Sequence, residues 1–81
     1  MDLRERLEVD PLTPQEWRVL EGLVAGLTSR EIATQLGVKP TTVYKGYMYR
    51  ILGKLGARNR TEAAVIAVTA GLIVPKEATD G

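Results

Sequence analysis

Three boundaries within this chain repeat one cap chemistry, a capping side chain followed three residues later by glutamate: Thr13-Pro14-Gln15-Glu16, Thr28-Ser29-Arg30-Glu31 and Asn59-Arg60-Thr61-Glu62. The first N–H groups of a helix have no partner inside it. A Thr or Asn oxygen accepts from one of them, and the glutamate reaches back toward another, so this spacing marks a helix start. Pro14 strengthens the first start, because the first helical residue has no use for an N–H. Gly37, Gly56 and Gly71 provide the matching stops, since glycine takes up the left-handed conformation that closes a helix. Strands have little room in such a chain; Leu72-Ile73-Val74 is too short and has nothing to pair with. The expected fold class is all-α.

Apolar spacing fills in the helices between these marks. Trp17, Leu20, Val24 and Leu27 place a first helix over about 14–25, and Ile32, Ala33 and Leu36 a second over about 29–36. Pro40 restarts the chain, and Val43, Tyr47, Ile51 and Leu55, at steps of four, give a third over about 40–55. A fourth covers about 60–70, ended by Gly71 and Pro75. Residues 1–11 read as a charged N-terminal arm, in which Leu3 and Leu7 allow either a helical extension or a frayed end. Residues 12–74 form the expected domain and 75–81 a disordered tail.

The 81 residues contain neither cysteine nor histidine. That removes disulfides, thiolate nucleophiles, zinc fingers and imidazole acid–base chemistry. Gly53-Lys54 lacks the upstream glycine of a phosphate-binding loop, and the carboxylates of residues 1–21 are spread rather than clustered. The expectation is a binding protein and not an enzyme, with no cofactor, metal or small-molecule ligand. No run approaches the roughly 20 apolar residues of a membrane-spanning helix. The N-terminal MDLRERLEVD is too charged for a signal peptide, so a cytoplasmic protein with no membrane contact is expected.

A net charge of +1 conceals a division into three parts. Residues 1–29 carry three basic and six acidic side chains, residues 30–60 seven basic and one acidic, and residues 61–81 one basic and three acidic. A polyanion would meet the middle segment, not the average. By charge alone a solvated basic face fits equally well.

Topology separates the two readings. A short helix, a glycine-containing turn and a longer basic helix compose a helix-turn-helix unit, here Ser29 to Leu55. The second helix of such a unit lies in the DNA major groove, its first turns toward base edges. Thr41, Thr42, Tyr44 and Lys45 occupy those turns, and Lys39 adds a cation beside a helix start that already suits phosphate.

The motifs Leu12-Thr13-Pro14-x-Glu16, Gly26-Leu27-Thr28, Glu31-Ile32-Ala33-x-x-Leu36, Val38-x-Pro40-x-Thr42-Val43, Ile51-Leu52-x-Lys54-Leu55 and Arg58-Asn59-Arg60-Thr61-Glu62-Ala63 resemble the LuxR/FixJ/GerE-type DNA-binding domain. Sigma-factor region 4 shares the first cues but generally lacks the Arg-Asn-Arg-Thr-Glu-Ala segment. The resemblance implies a four-helix transcription regulator of stand-alone, GerE-like size, or the excised output domain of a longer one, with RNA polymerase a further partner. It implies base reading by Tyr44 and Lys45, with Thr41 in the same turn, and phosphate contacts from Arg30, Thr42, Lys54, Arg58 and Arg60, with Lys39 alongside. It also implies a structural role for Glu16, as a cap and as an ion-pair partner of the basic segment.

Three positions depart from the family pattern. The stretch from Val43 to Ile51 is one residue longer than usual, which places an insertion within Tyr44–Gly46. An extra helical residue rotates the downstream part of the helix by about 100° unless a π-bulge or a shifted boundary absorbs it. Gly46 lies inside the third helix, and Lys39 stands where a capping serine is common. Among the aromatics, Tyr47 is expected in the core, Tyr44 toward DNA, Tyr49 in neither place, and Trp17 as a packing residue.

The fourth helix is apolar almost all round after Glu62, whereas a surface helix normally keeps a polar face. Ala64, Val65, Val68 and Leu72 therefore form the expected interface of a two-fold homodimer. The function expected is sequence-specific binding of double-stranded DNA through the third helix. The alternative is a helix-turn-helix relative that binds another regulator, with weak or no DNA binding.

Overall fold

Four helices, opening after Asp2, Thr13, Thr28 and Asn59, begin on side-chain caps in the computed structural model, which describes residues 2–75. In α2 (Pro14–Val24) the Thr13 hydroxyl accepts from the Glu16 N–H at 3.2 Å, and Glu16 Oε1 accepts from the Thr13 N–H at 2.9 Å. The same reciprocal pair, Thr28 with Glu31, opens α3 (Ser29–Leu36) at 3.1 and 2.8 Å. In α5 (Arg60–Thr69) Asn59 Oδ1 accepts from the Glu62 N–H at 2.8 Å. The Glu62 carboxylate there reaches one residue further back, to the Arg58 N–H at 2.8 Å.

The N-terminal segment, expected as an arm, contains a fifth helix, α1 (Leu3–Val9). Asp2 and Glu5 form a capping box of the same kind. Leu3 and Leu7 pack on the core, and Arg6 Nη2 donates to the Gly53 carbonyl at 3.0 Å. The expected disordered tail lies, apart from Pro75, outside the described residues.

The expected third helix forms a continuous rod over residues 40–55, but its winding changes along its length. Thr42–Tyr47 is a π-helical segment, and α4 (Met48–Leu55) resumes regular α-geometry. The Met48 N–H donates to the Val43 carbonyl, five residues back, so the extra residue is absorbed as a π turn. This resets the inward face. Val43, Met48, Ile51 and Leu55 are buried, whereas Tyr47, expected on that stripe, is only partly buried at its edge. A step of five replaces the expected step of four.

The core joins Val19, Leu20 and Leu23 of α2, Ile32 and Ala33 of α3, and Ala63 and Ala67 of α5 to the buried residues of the long helix. In α2 the inward face is centred on Glu16, Val19, Leu20 and Leu23. Trp17, Val24 and Leu27, which spacing alone places on the apolar stripe, flank it partly buried. Gly22 is buried where α2 meets α3. A Cβ there would stand 2.7 Å from Ile32 Cγ1, so only glycine permits this approach. α5 lies across α2 and α4.

Candidate nucleic-acid interface

One acidic side chain organises the basic segment. Glu16 is 1% exposed, and its carboxylate serves three partners. Besides capping Thr13, Oε1 meets Lys54 Nζ at 2.6 Å and Oε2 meets Arg50 Nε at 3.1 Å. Burial pushes the Glu16 carboxyl up, but the hydrogen bonds from Lys54, the Thr13 backbone and Arg50, with the Lys54 charge, more than compensate and hold it below the ordinary glutamate range. The cluster ties α4 to the start of α2 and thereby sets how the long helix sits on the scaffold. The Arg50 guanidinium also lies over the Tyr47 ring, 5.4 Å from its centre, within cation–π range.

Lys54 was expected to meet phosphate. Its ammonium donates instead to Glu16 and to the Pro11 carbonyl at 2.9 Å, with Asp10 at 3.8 Å, and its side chain is only 11% exposed. The ammonium is engaged within the protein. Arg60 is exposed but anchored: Nη2 donates to the Leu27 carbonyl at 2.6 Å and Nη1 to Ser29 Oγ at 3.3 Å. It thus joins the start of α5 to the start of α3, next to exposed Arg30. Arg58 pairs with Glu62 four residues on, with the arginine side chain 87% exposed. An exposed pair of this kind contributes little to stability, and its guanidinium can be exchanged to another anion.

Thr41, Thr42, Tyr44 and Lys45 are all exposed, on the N-terminal turns of the long helix beside α3, and Lys39 is exposed just before them. Tyr49 is exposed further along the helix. On α5, Val65 and Val68 are exposed, while Ala64 and Leu72 are half-buried against the core. Arg50, Met48 and Arg6 do not stand out in the sequence. The clue for Met48 is the insertion itself, which requires a five-residue step in the apolar spacing.

This arrangement is a helix-turn-helix: α3, a left-handed Gly37 and a long second helix presenting polar side chains from its first turns. Residues 10–67 match the family of bacterial regulatory proteins of the luxR type, the GerE domain, and the chain belongs to that family. It is similar to the transcriptional regulatory protein YdfI of Bacillus subtilis, 45% identical over 76% of this chain and 29% of that protein. It is likewise similar to the transcriptional regulatory protein FixJ of Bradyrhizobium diazoefficiens, 34% identical over 80% of this chain and 31% of FixJ. The DNA-binding transcriptional activator DevR/DosR of Mycobacterium tuberculosis is 46% identical over 69% of this chain and 25% of its own length. The chain therefore spans under a third of the length of these curated relatives. It is a helix-turn-helix DNA-binding domain of the transcription-regulator type, and no helix among the described residues is long and apolar enough to cross a membrane.

Proposed function

We propose that the chain binds double-stranded DNA in a sequence-specific manner as a homodimer, and regulates transcription by doing so. The observation that carries this reading is the row of exposed side chains Thr41, Thr42, Tyr44 and Lys45 on the first turns of the long helix beside α3, on a helix whose downstream half is tied to α2 by Glu16. Thr41, Tyr44 and Lys45 read base edges from the major groove. Arg30, Lys39, Thr42, Arg58 and Arg60 hold the phosphate backbone on either side, and such contacts position the protein rather than specify sequence. Exposed Val65 and Val68, with Ala64 and Leu72 beside them, supply the two-fold contact that pairs two reading helices.

Binding to duplex DNA across a salt series tests the proposal. About four cationic phosphate contacts per protomer give a log–log slope of about −4, and about −7 for a dimer. Binding that ignores salt, together with association of this chain with another regulator through α5, would establish the protein-interaction alternative instead. Lys45→Ala sharpens the test: a base-reading lysine loses specific affinity more than non-specific affinity, and equal losses would make it a phosphate contact.

A further inference from the structure

We propose that the extra residue carried by Thr42–Tyr47 is a specificity element, and that the π turn sets which base pairs the long helix selects. The inference rests on the DNA-reading role proposed above.

Packing explains why a π turn must form once the residue is present. Each α-helical residue turns by about 100°. Were the rod regular throughout, Ile51 and Leu55 would lie about 80° and 120° around the axis from Val43. Absorbing one residue brings Met48, Ile51 and Leu55 to within about 40° of Val43, and all four are buried at 7% exposure or less. The downstream half of the helix, with Arg50 and Lys54 on Glu16, is thus held in place across the insertion.

Packing does not explain why the chain carries the residue. A chain one residue shorter would reach the same core register with an unbroken α-helix. Of the four residues from Tyr44 to Tyr47, Tyr47 is the one packed against the core. Tyr44 is 49% exposed, Lys45 is exposed, and a Cβ on Gly46 would meet only Arg50 Nη2, at 3.9 Å. Between the anchors Val43 and Met48 stand four residues where a regular turn would hold three, and the surplus bulges outward at the first turns of the helix. These are the turns that face base edges in a docked helix-turn-helix, and π-bulges recur at functional sites. The consequence is an altered spacing of Tyr44 and Lys45 relative to Thr41 and Thr42 within the groove.

Selection of bound sequences from a randomised duplex pool, run with the full chain and with a variant lacking Gly46, reads this directly. The deletion is expected to keep helical content and the salt slope of DNA binding, while its base preference shifts by about tenfold or more at one or more positions of each half-site. An unchanged motif from the folded deletion variant overturns the inference and leaves DNA reading intact. A wild-type chain that selects no motif overturns both. Should the deletion fail to fold, the exposed-site variants Tyr44→Ala and Lys45→Ala put the same question at full length. Each is expected to change preference at its own base position, and a uniform loss across all sequences from both overturns the inference.

Discussion

The helices α2 and α3 and the long helix after them are held in place by different physics. The first two begin on reciprocal Thr–Glu caps closed within four residues. The long helix has no side-chain cap: the Lys39 side chain carries no acceptor, and Thr41 makes no capping hydrogen bond. Its position comes from distant partners. Arg50 and Lys54 reach Glu16 across 34 and 38 residues of sequence, and Arg6 reaches Gly53 across 47. The two capped helices are specified locally, and the long helix is specified by what it packs against. Val43 anchors its first turns in the core, and Thr41, Thr42, Tyr44 and Lys45 around it stay exposed.

Removing the distant partners should do more harm than removing the caps. Lys54→Ala leaves a buried carboxylate with Arg50 alone and is expected to cost about 3 kcal/mol, measured as a drop in the urea midpoint at neutral pH. If Lys54 served only as a surface cation, the change would stay below about 0.5 kcal/mol. Acid should reveal the same cluster. Because the folded Glu16 carboxyl titrates below its unfolded value, its contribution is present above about pH 4.3 and is lost as pH falls further. Urea midpoints of the wild type and of Glu16→Gln should therefore converge between about pH 5 and about pH 3.

Gly22→Ala ranks next, at about 2 kcal/mol, because the new methyl must displace Ile32 from a packed core. Its thermal unfolding temperature should drop while the affinity of the folded fraction for DNA stays unchanged. The smallest and most diagnostic effect concerns the caps. Thr28→Ala should cost about 1 kcal/mol, whereas Thr41→Ala, which removes no cap, should change stability by less than about 0.5 kcal/mol and instead alter DNA selection. Equal destabilisation by the two would erase the contrast between the capped helices and the long helix.

Much of this architecture is legible in the residues themselves. The caps, the glycine stops and the apolar spacing mark out α2, α3, the long helix and α5 to within a residue or so. Asp2 and Glu5 carry the same signal for α1, but in a highly charged run where only the pair Leu3 and Leu7 supports it. A structural Glu16 paired with the basic segment is foreseeable only through the family resemblance, and its partners Arg50 and Lys54 only from the fold, because a buried carboxylate looks like any surface glutamate until its neighbours are placed. Lys54 shows the opposite case: a lysine in a basic segment reads as a nucleic-acid contact, and only the fold reveals that its ammonium is taken up inside the protein.

The sequence by itself determined where helices begin and end, since caps and glycine stops act over four residues, and set against the family pattern it placed a surplus residue near Tyr44–Gly46. Tertiary structure decided how that surplus is wound, because the winding answers to Val43, Met48, Ile51 and Leu55 seeking one core. It also decided which cations remain outward. A side chain's charge is written in its chemistry, but its availability to a partner depends on which opposite charge the fold brings within reach.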